Sequence, residues 1–585
     1  MRRLAVTLAF FAAIAAVVIL NGRAAGSGAA AAASSIRLAE VAGARGIDFV
    51  HQAPTLDPKV QHIAPHVAAL GACVSVVDFN NDNNPDLYFT SSRFGASNTL
   101  YLNKGDGTFH DRAGHAGVGA LNRAGEGVSM GAAWGDFDND GFEDLFVSKW
   151  GYQQLFKNNG NGTFSDVTAQ AGLRRWMNSN GAVWLDFDRD GLLDLYVTGY
   201  FRSDIDFWNL RSTRIMQHSW EFATNGGKNL LFKNLGLGRF RDVTDSLGVG
   251  STRWTLAAAS ADFNDDGWPD LYLANDYGPE ELYLNKEGKR FELARAGLQD
   301  DSKSGMAVAI GDVYNRGRHD VFVTNISEKG FLFQGNNLRI NFLKELDRFD
   351  EVASGVVADA GWAWGAQFGD LNNDGLLDLV VANGFISADS TRSYWYAMSK
   401  IAGAQGNIFE DARNWPAIGT ASLSGYERSR VLLNRGADGF EDVAEQAGVT
   451  DLLDGRAVVM ADLFNRGVLD VVIANEKGKA LVYSAPSPEG RGGQGVRTHW
   501  LELTLIGSRS NRSAIGAEVT VEFGNVRQRQ VVDGGSGFCS QNDRRLHFGL
   551  GSERPGRVLI RWPSGRAQTV EGLKADQLHV IKEPD

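Results

Sequence analysis

A nine-residue pattern with acids or amides at alternate positions returns along most of this 585-residue chain, and it restricts the possible folds more than any other feature. Intact copies occupy residues 78–86, 136–144, 186–194, 262–270 and 370–378, reading Asp-x-Asp/Asn-x-Asp-Gly-x-x-Asp, with Asn83 in place of the glycine in the first. Weaker copies begin at Asp312 and Asp462. The seven starts lie 58, 50, 76, 50, 58 and 92 residues apart. A small, apolar stretch such as 130–135 precedes each copy, and an alternating strand follows it. An aromatic strand ending in asparagine comes next (100–103, 155–158, 231–234, 282–285), then a Gly-rich turn and Phe-x-Asp-Val-Thr at Phe164 and Phe240 or a relative of it. Such a unit holds four short strands separated by turn signals.

Units of about 50 residues with four strands are expected to be β-propeller blades. Seven copies predict an all-β chain with a seven-bladed propeller over 36–483. The seventh unit stops after Leu481-Val-Tyr without its Phe-x-Asp-Val segment, and residues 36–47 resemble the missing piece. The N-terminal segment is therefore expected to supply the last outer strand and close the ring. Gly, at 70 residues, exceeds its usual ~7% share without a collagen period, as many tight turns require.

Oxygen donors at positions 1, 3, 5 and 9, with the carbonyl of position 7, form the donor set that hard Ca²⁺ takes. The expected ligands are Asp78, Asn80, Asp82, Asn84 and Asp86 in the first loop, and Asp136, Asp138, Asp140, Phe142 and Asp144 in the second. The third offers Asp186, Asp188, Asp190, Leu192 and Asp194, and the fourth Asp262, Asn264, Asp266, Trp268 and Asp270. The sixth offers Asp370, Asn372, Asp374, Leu376 and Asp378. An EF-hand needs Glu at position 12; here Phe89, Val147, Val197, Leu273 and Val381 stand there, so these are β-hairpin loops. Asp, Asn and Gly also cap turns without any metal, but five copies in one register favour coordination. In the weak copies Tyr314 and Phe464 replace ligand 3, and Arg316 and Arg466 replace ligand 5. Five Ca²⁺ are expected, with a guanidinium standing in for the ion twice and pairing with Asp312/Asp320 or Asp462/Asp470.

Residues 1–35 begin Met1-Arg2-Arg3, continue with an apolar run over 4–20 and end in small residues. They read as a signal peptide or an uncleaved N-terminal anchor. Either implies an exported, extracellular, periplasmic or cell-surface protein, with no other membrane attachment. The formal net charge of −12 argues against nucleic-acid partners. Two cysteines exclude a disulfide scaffold; Cys73 and Cys539 remain free or pair across the chain.

Residues 484–496 have linker composition, and strands without the loop motif are expected after them at 500–506, 517–523, 527–532, 545–548 and 558–562, a small all-β domain over 497–583. The repeats resemble FG-GAP (VCBS-type) repeats of integrin α-chain propellers. The tail resembles the ASPIC/UnbV domain at Asn511-Arg-Ser-Ala-Ile-Gly-Ala-Glu-Val, 540–551 and Arg561-Trp-Pro-Ser-Gly. In this order the two resemble the family that includes cartilage acidic protein 1. The resemblance implies an extracellular calcium-binding scaffold, without an agreed ligand or reaction.

Strand alternation puts the second-to-third and fourth-to-first connections on the face opposite the acidic loops. Two long connections, about 200–227 and 385–428, lie there with Trp208, Trp220, Tyr394, Trp395, Tyr396 and Trp415. His62 and His66, in 51–70, share that face. Long loops on a rigid scaffold carry binding; these aromatics either contact a ligand or pack the insertions down. The histidine spacings, His51 included, match no strong metal template. Trp134, Trp184 and Trp364 sit at equivalent repeat positions and read as packing residues.

Two readings follow. One is a non-enzymatic binding or adhesion module for protein or glycan. The other is an exported glycan hydrolase or lyase on the long-insertion face, with Asp204, Asp206, Glu221, Asp389, Glu410 and Asp411 as its available acids. Gly-x-Ser-x-Gly, His-Glu-x-x-His and P-loop motifs are absent from the sequence. The seventeen Asp at ligand positions of the intact loops account for the acidity as a metal-binding property.

Overall fold

The structure, a computed structural model, describes residues 36–299, 301–485 and 498–585. The expected signal or anchor, and the linker beyond Ala485, lie outside the described residues. Among those described, no helix is long and apolar enough to cross a membrane.

The repeat builds a succession of antiparallel sheets. The first runs through Val74–Val77, Asp86–Phe89, Thr99–Asn103 and Phe109–Asp111 in sequence order. Five further meanders follow the same plan, each with a nonapeptide loop between its first two strands. The last, Gly455–Ala461, Asp470–Asn475 and Leu481–Ser484, takes its fourth strand from the other end of the chain. There Ala39 pairs with Ser484 and Glu40 with Tyr483. The sheets and their loops are numbered 1 to 7 in chain order. First strands such as Gly127–Gly135 are buried along their whole length, because neighbouring sheets pack against both faces.

The Phe-x-Asp-Val-Thr segment has a local physical basis. Asp166 Oδ1 accepts from Thr168 N at 3.0 Å and Asp242 Oδ1 from Thr244 N at 3.1 Å, so each aspartate caps a single helical turn. The threonine hydroxyls accept from Leu155 N and Leu231 N, both at 2.9 Å, tying that turn to the third strand. Gly172 and Gly248 end the turns at φ of 77° and 76°, a conformation costly for any residue with a Cβ.

The asparagine that ends each third strand joins neighbouring sheets. Asn158 Nδ2 donates to Phe79 O, Asn234 to Phe137 O and Asn285 to Phe187 O, each at 2.8 Å. Asn341 reaches Phe263 O at 2.8 Å and Asn434 reaches Val313 O at 2.9 Å. Asn103 of sheet 1 donates to Leu463 O of loop 7 at 2.7 Å, so the first sheet contacts the last. Each acceptor is position 2 of the preceding loop.

The C-terminal residues form a three-stranded sheet (Leu546–Gly551, His499–Ile506, Leu578–Lys582) and a four-stranded one (Val526–Val531, Glu518–Phe523, Val558–Arg561, Ala567–Val570). Their apolar core is continuous with that of sheets 2 and 3. Residues 534–542 run along the inner edges of the repeat sheets. Ser540–Gln541 adds parallel to Val74–Val77. Gly534 O accepts from Trp184 N at 2.9 Å, Gly537 N donates to Val308 O at 2.6 Å, and Gln541 bonds both backbone groups of Trp134. Asn542 Oδ1 accepts from Met460 N at 2.9 Å. From the other direction, residues 58–68 form two short helices whose buried Val60, Ile63 and Val67 share a second core with Phe538 and Cys539 of that segment. The two segments meet where Asn180 Nδ2 donates to Leu70 O at 2.7 Å beside the Cys539 thiol. Both cysteines are free and buried.

Asn234→Ala removes donors to two buried carbonyls, Phe137 O and Leu193 O. A loss of about 2–4 kcal/mol is expected, read as a lower urea midpoint. The exposed Asn161→Ala should change it little.

Candidate metal centres and the opposite face

Two aspartates, the first and the last, build each intact loop, and all are buried except the half-buried Asp78. In loop 2, Asp136 accepts from Asp140 N at 3.0 Å and Gly141 N at 2.7 Å, folding the chain back on itself. Asp144 accepts from Phe137 N at 3.1 Å and Asn158 N at 2.8 Å, fixing the loop to the third strand. Loops 1, 3, 4 and 6 repeat these contacts through Asp78/Asp86, Asp186/Asp194, Asp262/Asp270 and Asp370/Asp378. The position-5 acid of each accepts from the N–H of position 7.

The turn needs two left-handed residues. Position 6 is one: Asn83 has φ 63° and Gly141 φ 93°. Position 4 is the other, with Asn81, Asn139, Arg189, Asp265, Asn315, Asn373 and Asn465 all between 52° and 60°. The sequence reading missed position 4, although its asparagines are a residue type that tolerates this conformation. Their side chains reach the next loop. Asn81 donates to Gly141 O, Asn139 to Gly191 O, Asn315 to Gly375 O and Asn373 to Gly467 O, at 2.8–2.9 Å. Asn465 donates to Asn83 O at 3.2 Å, again joining last to first. Arg189 stacks on Trp268, and Asp265 pairs with Arg318 at 2.6 Å.

Burial, reinforced by neighbouring carboxylates, drives the first and last acids of the intact loops toward protonation. Asp136, Asp186 and Asp370 are pushed up to about 7 and Asp262 to about 6, burial being the largest cause. Asp86, Asp144, Asp194, Asp270 and Asp378 are raised well above the carboxylate range for the same reasons. Carboxylate oxygens of Asp136, Asp138 and Asp144, and of Asp186, Asp188 and Asp190, lie within 4.8 Å of one another and could hold a metal ion. Asp138 Oδ1 and Asp188 Oδ1 are buried without a hydrogen-bond partner. An all-oxygen set with orphaned acceptors suits a hard cation.

Loops 5 and 7 place a guanidinium against the last aspartate. Arg316 Nη2 donates to Asp320 Oδ1 and Arg466 Nη2 to Asp470 Oδ1, both at 2.7 Å. Asp312 and Asp462 instead accept from backbone N–H groups of their own turns. Each arginine thus pairs with one of its two expected partners.

The C-terminal domain sits on this loop face. Ser513 Oγ accepts from Asp136 N at 3.0 Å, Arg561 pairs with Asp262 at 2.5 Å, and Arg529 N donates to Asp312 Oδ2 at 3.1 Å. His547 meets Asn373 Oδ1 at 2.7 Å, and Arg545 donates to Asn465 Oδ1 at 2.7 Å. Glu518 gathers His319, Arg529 and Arg561 and is held at about 2.

On the opposite face most of the expected ligand contacts are packed. His66 is buried, its rings 5.4 Å from those of Phe385 and Trp415, and burial lowers it to about 4. Trp415 stacks on Phe409 at 5.1 Å and Trp395 on Phe331 at 5.6 Å. Trp208 and Trp220, half-buried, lie against Phe94 and Tyr277. Tyr394 Oη donates to Pro416 O at 2.6 Å, and His62 meets Ala412 O at 2.9 Å. Tyr396 stands out at 69% exposure. Under this layer, Asp276 is held by Tyr200 at 2.5 Å and pushed up to about 7 by burial. Arg456, fully buried, bonds the carbonyls of Ala69, Gly384 and Phe385 and stacks on Trp364 at 4.3 Å. The sequence reading passed over both Asp276 and Arg456, because nothing local marks them. Of the insertion acids, Asp204 and Glu410 share Arg202, and Asp411 pairs with Arg413 at 2.6 Å. Asp206 accepts from Trp208 N and Asp389 from Thr391, while Glu221 is exposed.

Comparison with known proteins agrees with this architecture. An FG-GAP-like repeat model matches residues 78–147, 136–197, 222–273, 262–323 and 312–381, which contain loops 1 to 6. An ASPIC and UnbV model matches 507–585. The chain is 24% identical to cartilage acidic protein 1 of Mus musculus over 380 residues, 60% of this chain and 56% of that protein. It is 24% identical to the Homo sapiens protein over 342 residues, 54% of this chain and 49% of that one. It therefore spans about half the length of these relatives. Solved structures with similarity include an Agrocybe aegerita lectin that recognises non-reducing terminal N-acetylglucosamine (TM-score 0.36, 15% identity, 70% of this chain, 87% of that one). Another is the rhamnogalacturonan lyase YesW (TM-score 0.35, 12% identity, 71% and 72%). With its repeats and its C-terminal domain in this order, the chain belongs to the family of FG-GAP-repeat, ASPIC/UnbV-domain proteins that includes cartilage acidic protein 1.

Proposed function

We propose that this chain is an exported, calcium-rigidified, seven-bladed β-propeller scaffold that binds a protein or glycan through the face opposite its acidic loops, without catalysis. The observation that carries the reading is the repetition of one backbone geometry in five loops, each concentrating three or four aspartates at ligand positions with no side-chain nitrogen or sulfur expected among the donors. The contacts from Asn465 to loop 1 and from Asn103 to loop 7 support a closed ring. The acids of loops 1, 2, 3, 4 and 6 would hold the ion and neutralise carboxylates that otherwise repel one another. The C-terminal domain covers much of the loop face, which leaves the insertion face for a partner, with Tyr396 on its surface. Extracellular location is supported by the names of the relatives. A glycan hydrolase or lyase is disfavoured, because Asp204 and Glu410 are bridged by an arginine and Asp411 is tied to another.

Equilibrium dialysis of the chelator-stripped chain should recover about five Ca²⁺, with affinities of about 10⁻⁴–10⁻³ M where the sites are weak. Two or fewer per chain contradict the reading.

The first and last aspartates of the intact loops also set a pH dependence. Their folded pKa values lie above the unfolded value of about 4, so the stability they contribute is present in acid and is lost as pH rises from about 4 through about 7. In EDTA the melting temperature should be higher at about pH 5 than at about pH 7.5, and calcium should abolish that difference. A chelated protein more stable at the higher pH contradicts this.

Arg316→Met leaves Asp320 without its cation. The melting temperature should fall and calcium should not restore it, since Tyr314 replaces the third ligand; thermal scans with and without calcium check this.

A further inference from the structure

Two of the five intact loops take a lysine ammonium from their own third strand; loop 4 has a different cation, the Arg561 guanidinium of the C-terminal domain at Asp262. Lys157 Nζ pairs with Asp138 and, at 2.6 Å, with Asp140 in loop 2. Lys233 Nζ pairs with Asp188 and, at 3.0 Å, with Asp190 in loop 3. Each lysine immediately precedes the asparagine that ends its third strand. In loops 1, 4 and 6 the equivalent residues are Leu102, Leu284 and Leu433.

The substitution is matched inside the loop. Where leucine stands on the strand, position 3 is asparagine: Asn80, Asn264 or Asn372. Its amide donates to Oδ2 of the position-5 aspartate at 2.8–2.9 Å. Where lysine stands there, position 3 is aspartate, which has no proton to donate and adds a charge. The ammonium then supplies the missing donor to the same Oδ2 atoms, of Asp140 and Asp190, and cancels the added charge. Counting ligand positions plus the strand residue, each of the five loops carries three net negative charges.

We propose that Lys157 and Lys233 are resident countercations that set the calcium affinity of loops 2 and 3. The inference rests on the calcium reading above. An incoming ion must displace the ammonium from two carboxylates that are themselves ligands, whereas in loops 1 and 6 it needs only an amide to rotate its oxygen inward. In loop 4 the same amide rotates, and Arg561 bears on Asp262 Oδ2, the oxygen already engaged by Gly267 N, and not on Asn264 or Asp266. Like charges separated by a few ångströms in a half-buried loop repel strongly. Calcium therefore fills loops 1, 4 and 6 first, and loops 2 and 3 at higher concentration. The lysines also keep loops 2 and 3 folded when calcium is scarce, which four uncompensated carboxylates would oppose.

Isothermal titration of the full chain with calcium tests this. The wild type should show two classes, three tighter sites and two weaker by about tenfold. D138N/K157L combined with D188N/K233L rebuilds loops 2 and 3 in the pattern of the other three, and the five sites should merge into one class. K157M/K233M, which keeps the aspartates, should convert the weak pair into the tightest. In EDTA, K157L should lower the melting temperature and D138N/K157L should restore most of it, a coupling that a merely structural lysine would not show. If calcium binds but all variants give the wild-type isotherm, or if D138N/K157L with D188N/K233L loses two sites, the proposal is overturned. If the wild type takes up no calcium and melts identically with and without it, the calcium reading itself falls.

Discussion

Everything else in the molecule depends on the way one buried aspartate side chain holds a loop against a strand. The last aspartate of each of the first six nonapeptides accepts two backbone N–H groups, one from its own loop and one from the end of the third strand, as Asp144 does from Phe137 and Asn158. That fixes three strands of a sheet relative to one another. The strand-end asparagine then carries the constraint into the preceding sheet, and the position-4 side chain carries it into the following loop. None of these contacts is strong alone, since a net hydrogen bond is worth about 1 kcal/mol. Their effect comes from repetition around the molecule and from burial, where a missing partner costs more than a made one gains.

The same geometry creates the electrostatic problem that a cation resolves. Caps that require acids at the first and last positions bring carboxylates together in a half-buried turn, and burial raises their affinity for protons. The chain shows three ways of balancing that charge: the aspartate-rich loops suited to a hard ion, the guanidinium of Arg316 and Arg466, and the ammonium of Lys157 and Lys233. The C-terminal domain docks where these charges lie, bringing Arg529, Arg544, Arg545 and Arg561 to the loop face. Its inner segment, 534–542, completes hydrogen bonds at sheet edges that would otherwise be left exposed.

The strands of the C-terminal domain expected from alternation coincide within a residue or two of the observed boundaries at most ends, as with His499–Ile506 and Val526–Val531. Ala567–Val570 and Leu578–Lys582 were missed, being only partly buried and so lacking a clean apolar alternation. The insertion-face aromatics were identified as a group. Whether they pack or bind is a question of distance: Trp415 and Trp395 stack on aromatic neighbours, while Tyr396 beside them is exposed with the Lys400 ammonium 4.6 Å from its ring centre.

The repeat, the hairpin position of its acidic loops and the closure of the last sheet by residues 39–40 are legible in the sequence, because each is written in residues close in the chain or in a pattern copied many times. Only the tertiary structure decided which asparagine holds which neighbouring sheet, where the C-terminal domain sits, and that Lys157 and Lys233 lie in the acidic loops. The lysines are separated from their carboxylates by up to 45 residues and look like ordinary strand residues in sequence. Their charge acquires meaning only when the hairpin brings the end of the third strand against the loop, and that adjacency is a property of the folded sheet.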